Sequence, residues 1–483
     1  MSEQATQSAL PARAFPWRAA MPWLVAAGSY LLLLTLSARL LGDPDIYWHV
    51  TVGRWIVEQG AFPHIDPFSA TFAGTPWIAK EWLSQLILAA AYHVAGWNGV
   101  AVLTAATIAA ALGVLTWALL EKLDPIAALG FVLAAIVLAA PHLVARPHAL
   151  ALPVMVLWAA GLVRALDARE APSLWLLPLM TLWANLHGGF TFGLLLVGAC
   201  ALEAVLVADA ADRKAAAWRW IRFGLLAALA ACITPYGAES ILMTQRILGL
   251  GEALALIAEW QPQDFSRFGA FEACLLGAIG LVLYRGLTLP PVRIVVVLGL
   301  LHMALAHVRS AELLALVAPL FVAKPLAEQL WPGRRDEEAQ PSRSIVAGVA
   351  ALLLIATGLM ATQTMAPSRQ VTPSAAVAAL KREKAGPILN DYGFGGYLIH
   401  AGVAPFIDGR SELYGGSFIA RHHRAVALQD LPGFLTLLER YKIGATLFAP
   451  ERPAVALLDR LPQWERLYAD ETAVVHIRKR AVQ

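Results

Sequence analysis

The chain has 483 residues, 58% of them hydrophobic and only 15% charged, with a mean hydropathy of +0.61. So little polar surface cannot cover that much apolar bulk, which excludes a soluble globule. A net charge of +3 excludes a nucleic-acid binder working through a basic face, and also an acidic disordered chain. Residues 371–483 hold 25 of the 71 charged side chains, so the sequence reads as a membrane body followed by a smaller water-soluble domain. The expected division is a cytoplasmic N-terminus over 1–20, a polytopic domain over 21–366 and a soluble α/β domain over 367–483. Cys200, Cys232 and Cys274 lie in apolar stretches without metal-ligand or disulfide spacing and read as buried thiols.

A bilayer span needs about 20 apolar residues. About eleven stretches qualify: 21–41, 98–120, 125–141, 148–166, 171–185, 188–208, 220–236, 268–284, 291–307, 310–324 and 345–364. The first follows Arg13 and Arg18 with no small-residue cleavage site after it, and reads as an uncleaved helix. With the N-terminus inside, the short inner loops hold 15 of the 23 basic residues before position 371, which is the positive-inside bias. The 42–97 loop and the final domain are then outside.

That topology also sorts the unusual polar residues onto one face. The 42–97 loop opens with Gly42-Asp43-Pro44-Asp45-Ile46-Tyr47-Trp48-His49. A carboxylate there could act as general base on a hydroxyl or help hold a divalent cation against phosphate oxygens. The competing reading is a solvated helix exit with interfacial aromatics. Glu81 begins an amphipathic helix that reads as interfacial. Arg146 and His148, Asn185 and His187, and His307 and Arg309 all fall on the outer side, where an anionic lipid phosphate needs cations and hydrogen-bond donors. Snorkelling side chains are the plainer alternative for the arginines and histidines, while for His187, beside Asn185 between two apolar runs, the alternative is a hydrogen bond in the helix connection.

The last domain reads as helix 374–384, a strand start over 386–390, short strands at 397–401 and 404–407, helix 431–441, strand 445–449, helix 454–461 and strand 474–478. Its polar cluster includes Asp408 and Arg410, which either hold a loop together or meet the substrate.

Taken in order, Asp43 to His49, Glu81-Trp82-Leu83, Asn185 to Gly189, Thr234 to Gly237 and Ile407 to Arg410 resemble bacterial membrane proteins of the GT-C glycosyltransferase superfamily. The likeness covers nearly the whole chain. It implies a GT-C-like helical polytopic fold with a small extracytoplasmic α/β domain, set in the bacterial inner membrane. It further implies an inverting transfer of a sugar from a polyprenyl-phosphate donor to a lipid, glycan or protein acceptor, and no particular sugar. Asp45, Asp43 and Glu81 become the candidate catalytic residues, with Asp43 and Asp45 also candidate ligands of Mg2+ or Mn2+. Arg146, His148, Asn185, His187, His307, Arg309, Asp408 and Arg410 become candidates for the donor phosphate or substrate. A lipid or polysaccharide transporter or flippase, or a non-catalytic envelope-assembly scaffold, are the other readings. A transporter would place its charges near the bilayer midplane, often in repeated halves.

Overall fold

The structure is a computed structural model that describes residues 17–332, 343–384 and 386–479. Most of the N-terminal segment expected inside, and the basic 333–342 stretch, lie outside the described residues. Each of the eleven apolar stretches falls on a helix, and the sequence explains several of the ends. Asp124 caps the Pro125–Ala139 helix by accepting from the amides of Ile126 (2.9 Å) and Ala127 (3.0 Å), with proline in the first turn. Pro147 and Pro291 open two further helices, and Gly286, at φ 62°, ends the Ala270–Arg285 helix.

Six helices among the described residues are long and apolar enough to cross a membrane: Trp17–Thr35, Trp82–Leu120, Pro125–His142, Pro147–Ala168, Phe190–Val207 and Val308–Leu330. Leu176–Leu186, at 11 residues, is too short to span alone, and Pro291–Ala306 and Val346–Met360 are also short. The long helix from Trp82 breaks at Ala95 and Gly96, where Gly96 takes φ 57°. That break separates the 82–94 arm from the apolar 98–120 stretch. Pro147–Ala168 is the most enclosed of these helices, and around it packs one continuous core that includes Trp158, Trp183, Trp220 and Phe321.

The 42–97 loop is more structured than its composition suggests. Ile46–Gln59 is a helix that ends at Gly60 (φ 61°), and Tyr47, Trp48 and His49 are buried in it rather than lying at an interface. Residues 60–81 then fold onto the C-terminal domain. The amide of Ala70 donates to the Pro405 carbonyl (2.9 Å), and the Phe72 ring meets Tyr414 and Phe418 edge-on.

The C-terminal domain carries a four-stranded sheet in the order β1-β2-β4-β3: β1 Ile388–Asn390, β2 Ala445–Phe448, β3 Trp464–Ala469 and β4 Val474–Arg478. Only β1 and β2 run parallel. Residues 397–401, expected as a strand, belong to the Gly395–His400 helix, and 404–407 form no strand. A short apolar run without strict alternation is ambiguous between the two states, and packing decides it. A side chain at Gly395 would collide with Asp408, and one at Gly396 would sit 2.4 Å from the Pro44 carbonyl oxygen, so this helix lies directly under the first loop. Strand β3 and the Gly416–Val426 helix were not expected from the sequence.

Candidate functional site

Where the first loop, one end of the helix bundle and the C-terminal domain meet, the structure gathers a belt of buried charge. Its centre is Arg146, the residue before Pro147. Arg146 Nη2 bonds Asp45, Nη1 bonds Glu259, and Nε lies 3.3 Å from Asp43. Glu259 accepts in turn from Arg309 Nη1 at 2.9 Å, and the Arg309 guanidinium stacks 4.6 Å from the Trp260 ring centre. Asp43 also accepts from the amide of Asp45 (2.8 Å), a local turn made by the Asp-Pro-Asp spacing.

The two acids of the first loop are not equivalent. Gly409 is laid against Asp45 so closely that a Cβ there would fall 1.9 Å from its Oδ1. Asp45 is therefore roofed by the Ile407 to Arg410 segment, and its side chain is 11% exposed against 16% for Asp43. Burial, aided by the Asp45 and Glu259 carboxylates and opposed by Arg146, raises Asp43 to about 7. Burial would also raise Glu259, but Arg146 and Arg309 overrule it and hold that carboxyl down at about 2.

The belt continues away from Arg146 through histidines. His148 Nε2 donates to the His142 carbonyl (2.9 Å) and lies 3.5 Å from Glu312, whose Oε2 has no other partner. The ring centres of His148 and His187 are 6.1 Å apart. His187 accepts the Gly189 amide at Nδ1 (3.1 Å), which leaves Nε2 to face Glu81 at 3.5 Å. Burial, then His148 and Arg309, keeps His187 neutral, and burial raises Glu81. Lys80 pairs with Glu412 of the C-terminal domain at 3.1 Å.

Of the residues singled out from the sequence, Asp43, Asp45, Glu81, Arg146, His148, His187 and Arg309 thus lie along one belt. His307 stands beside it, with Nδ1 on the Trp260 carbonyl (2.8 Å). Asn185 is turned inward: it accepts from Trp82 Nε1 (2.7 Å) and donates to the carbonyls of Thr181 and Ile233. Asp408 and Arg410 are fully buried. Arg410 donates twice to Asp408, at 2.7 and 2.8 Å, and once to Asp66 at 2.6 Å, while Tyr414 also donates to Asp408. That triad rivets the first loop to the C-terminal domain and presents no charge to a ligand. Sequence reasoning missed Glu259, Glu312 and the Lys80–Glu412 pair.

Among the described residues, no group of three or more His, Cys, Asp or Glu side chains is arranged to hold a metal ion. The acids best suited to Mg2+ or Mn2+ are turned onto Arg146 and Arg309, whose guanidinium groups already offset the charge of Asp43, Asp45 and Glu259. The donor set as placed does not fit a divalent ion.

No protein-family model matches the sequence, and no curated protein matches it. Solved structures do. The archaeal oligosaccharyltransferase AglB from Archaeoglobus fulgidus, in complex with an inhibitory peptide and a dolichol-phosphate, superposes with a TM-score of 0.58 at 12% identity, over 90% of this chain and 69% of its own. This chain shares the fold of that membrane protein. The same oligosaccharyltransferase in its apo form gives 0.52 at 12% identity, over 89% of this chain and 69% of its own. ArnT from Cupriavidus metallidurans bound to undecaprenyl phosphate gives 0.49 at 14% identity, over 94% and 97%. The chain is accordingly a multi-pass membrane protein with its ion belt where the membrane body meets the C-terminal domain.

Proposed function

We propose that the protein is a membrane glycosyltransferase that moves a sugar from a polyprenyl-phosphate donor to an extracytoplasmic acceptor in cell-envelope glycan or glycolipid assembly. The observation that carries this reading is the pairing, at one end of the helix bundle, of an acid raised to about 7 with guanidinium and imidazole groups. Such a transfer needs a base for the acceptor hydroxyl and positive charge for the phosphate that leaves.

Asp43 suits the first task better than Asp45, because Gly409 is laid directly against the Asp45 carboxylate and because Asp43, raised to about 7, is a base near the working pH. In the step, the acceptor oxygen bonds the anomeric carbon while its proton passes to Asp43. The bond from that carbon to the phosphate oxygen breaks, and the electron pair leaves with the phosphate. One displacement inverts the anomeric centre. Arg309 suits the leaving phosphate, since its side chain is 32% exposed against 21% for Arg146, which three carboxylates already hold. Neutral His187 can donate from Nε2. Arg146 fixes the acids, and Asn185, Asp408 and Arg410 are positioning residues.

The membrane body (21–366) would sit in the bacterial inner membrane with the C-terminal domain (367–483) outside. Cysteines placed at the exposed Ala73 and Ser417 of a cysteine-free chain should label from outside, and protection of both would reverse the orientation; Ser69 is buried and unsuitable. The activity test is release of undecaprenyl phosphate from undecaprenyl-phosphate-linked hexoses by protein in nanodiscs, followed by mass spectrometry. A gene deletion that leaves cell-surface glycans and lipid-linked sugars unchanged would count against the reading. So would an Asp43→Asn variant that releases the lipid at the normal rate.

A further inference from the structure

A second feature of the same face lies outside the ion belt. A cavity of about 270 Å³ opens between the Gly416–Val426 helix, the loop after β1 and the 251–257 segment of the membrane body. Its apolar lining is Leu256, Ile257, Ile419 and Val426, and on the Gly416–Val426 helix Ile419 and Val426 share a face with His422 and His423. The rest of the polar lining includes a closed ion pair. Arg452 donates to both oxygens of Asp391, at 2.6 and 2.9 Å, so the guanidinium and the carboxylate cancel while each keeps edges for further hydrogen bonds. His422 is buried and its Nε2 donates to the Asn390 carbonyl (2.9 Å), which makes Nδ1 an acceptor. Burial holds His422 down at about 4, so the ring stays uncharged. His423 adds a second, half-buried imidazole.

Two connections tie this cavity to the belt. Ile257 lines it, and two residues later Glu259 bonds Arg146 and Arg309. Tyr392 lines it as well, and feels the charges of Asp45, Asp408 and Glu259.

We propose that this cavity binds one neutral carbohydrate ring of the acceptor. Apolar contacts interleaved with paired donors and acceptors match a pyranose, whose faces carry C–H groups and whose edges carry hydroxyls. An anion would find Arg452 already neutralised by Asp391 and the buried His422 ring uncharged. Ligand pockets start at about 300 Å³, so the space suits one ring and not a chain. The assignment of that ring to the acceptor rests on the transferase reading; the binding itself does not.

The test uses the full chain in nanodiscs and saturation-transfer NMR with the methyl glycosides of glucose, galactose and mannose, alongside glucuronate and inorganic phosphate. At least one neutral glycoside should receive signal, and Leu256→Trp at the exposed rim and His423→Ala should each weaken it about tenfold or more without lowering the melting temperature. The proposal is overturned if no neutral glycoside binds, if both variants bind as the parent does, or if phosphate or glucuronate displaces the sugar at lower concentration. In transfer assays the two variants should raise the acceptor KM with kcat little changed. An unchanged KM beside active transfer would remove the acceptor role alone. Sugar binding with no donor turnover by the parent would remove the transferase reading alone.

Discussion

Two arginines at opposite ends of one helix make nearly the same set of bonds and serve different ends. Arg146 precedes the Pro147–Ala168 helix, and Asp167 lies in its last turn, about 32 Å away at 1.5 Å per residue. At that far end Arg293 donates to Asp167 (2.6 Å), Glu203 (2.8 Å) and the Phe321 carbonyl (3.0 Å), and Lys324 donates to the Asp167 carbonyl. The side chains of Arg293, Asp167 and Glu203 are each 5–6% exposed. Helices close around that hub from every side, so its charges can do nothing but lock helices together. The Arg146 hub has the same chemistry, yet its third acid, Glu259, comes from a single 3-10 turn (Ala258–Trp260) instead of a long packed helix, and the Arg146 and Glu259 side chains are 21% and 22% exposed. What separates a structural ion cluster from a candidate site here is closure and not composition.

The largest expected effect divides the two hubs. Asp43→Asn should cut transfer by about 100- to 10,000-fold, the usual worth of a general base, while the melting temperature in detergent stays near that of the parent. Arg293→Ala should do the reverse. It strands two buried carboxylates at a cost of about 3–5 kcal/mol, read as a fall in melting temperature and loss from the membrane fraction. Adding Asp167→Asn and Glu203→Gln should recover much of that loss. If Arg293→Ala left stability intact and abolished transfer, the distinction would collapse.

Arg410→Ala belongs with the structural side. It leaves Asp66 and Asp408 unpaired in a closed interior, and should cost a similar few kcal/mol, seen as early proteolysis of the C-terminal domain.

The pH profile sharpens the contrast next. With Asp43 raised to about 7, transfer should fall about tenfold per unit below that pH and level off above it. Stability should respond with opposite signs at two neighbouring acids. Asp43 has a folded value above its unfolded 3.8, so its contribution is present in acid and is lost as pH rises towards 7. Glu259 has a folded value below its unfolded 4.5, so its contribution is present above 4.5 and is lost as pH falls towards 2. Melting curves between pH 4 and 8 should flatten in Asp43→Asn.

Smaller still, Gly409→Ala should displace Asp45 and slow transfer about tenfold, because its Cβ has no room beside that carboxylate. Trp260→Leu removes only a cation–π contact of about 0.5–1 kcal/mol from Arg309, and should change transfer a few-fold at most.

The sequence by itself determined the membrane body and the face on which the polar motifs gather. Apolar length and the lysine–arginine bias act locally along the chain, and neither needs a partner to be read. It also separated the C-terminal domain by charge density, and found strands β1, β2 and β4 from short β-branched and apolar runs. Tertiary structure decided the rest. Tyr47 and Trp48, which the sequence reads as interfacial aromatics, are buried because the Gly395–His400 helix packs beneath them, with Gly396 against Pro44 and Trp48 and with Tyr397 and His400 on the Tyr47 ring. Asp43 and Asp45 look alike in the motif, and only the approach of Gly409, more than 360 residues further on, tells them apart. Glu259 carried no local pattern, and its role follows from a through-space meeting with Arg146 and Arg309. Charge pairing depends on distance and burial, which periodicity along a chain does not encode.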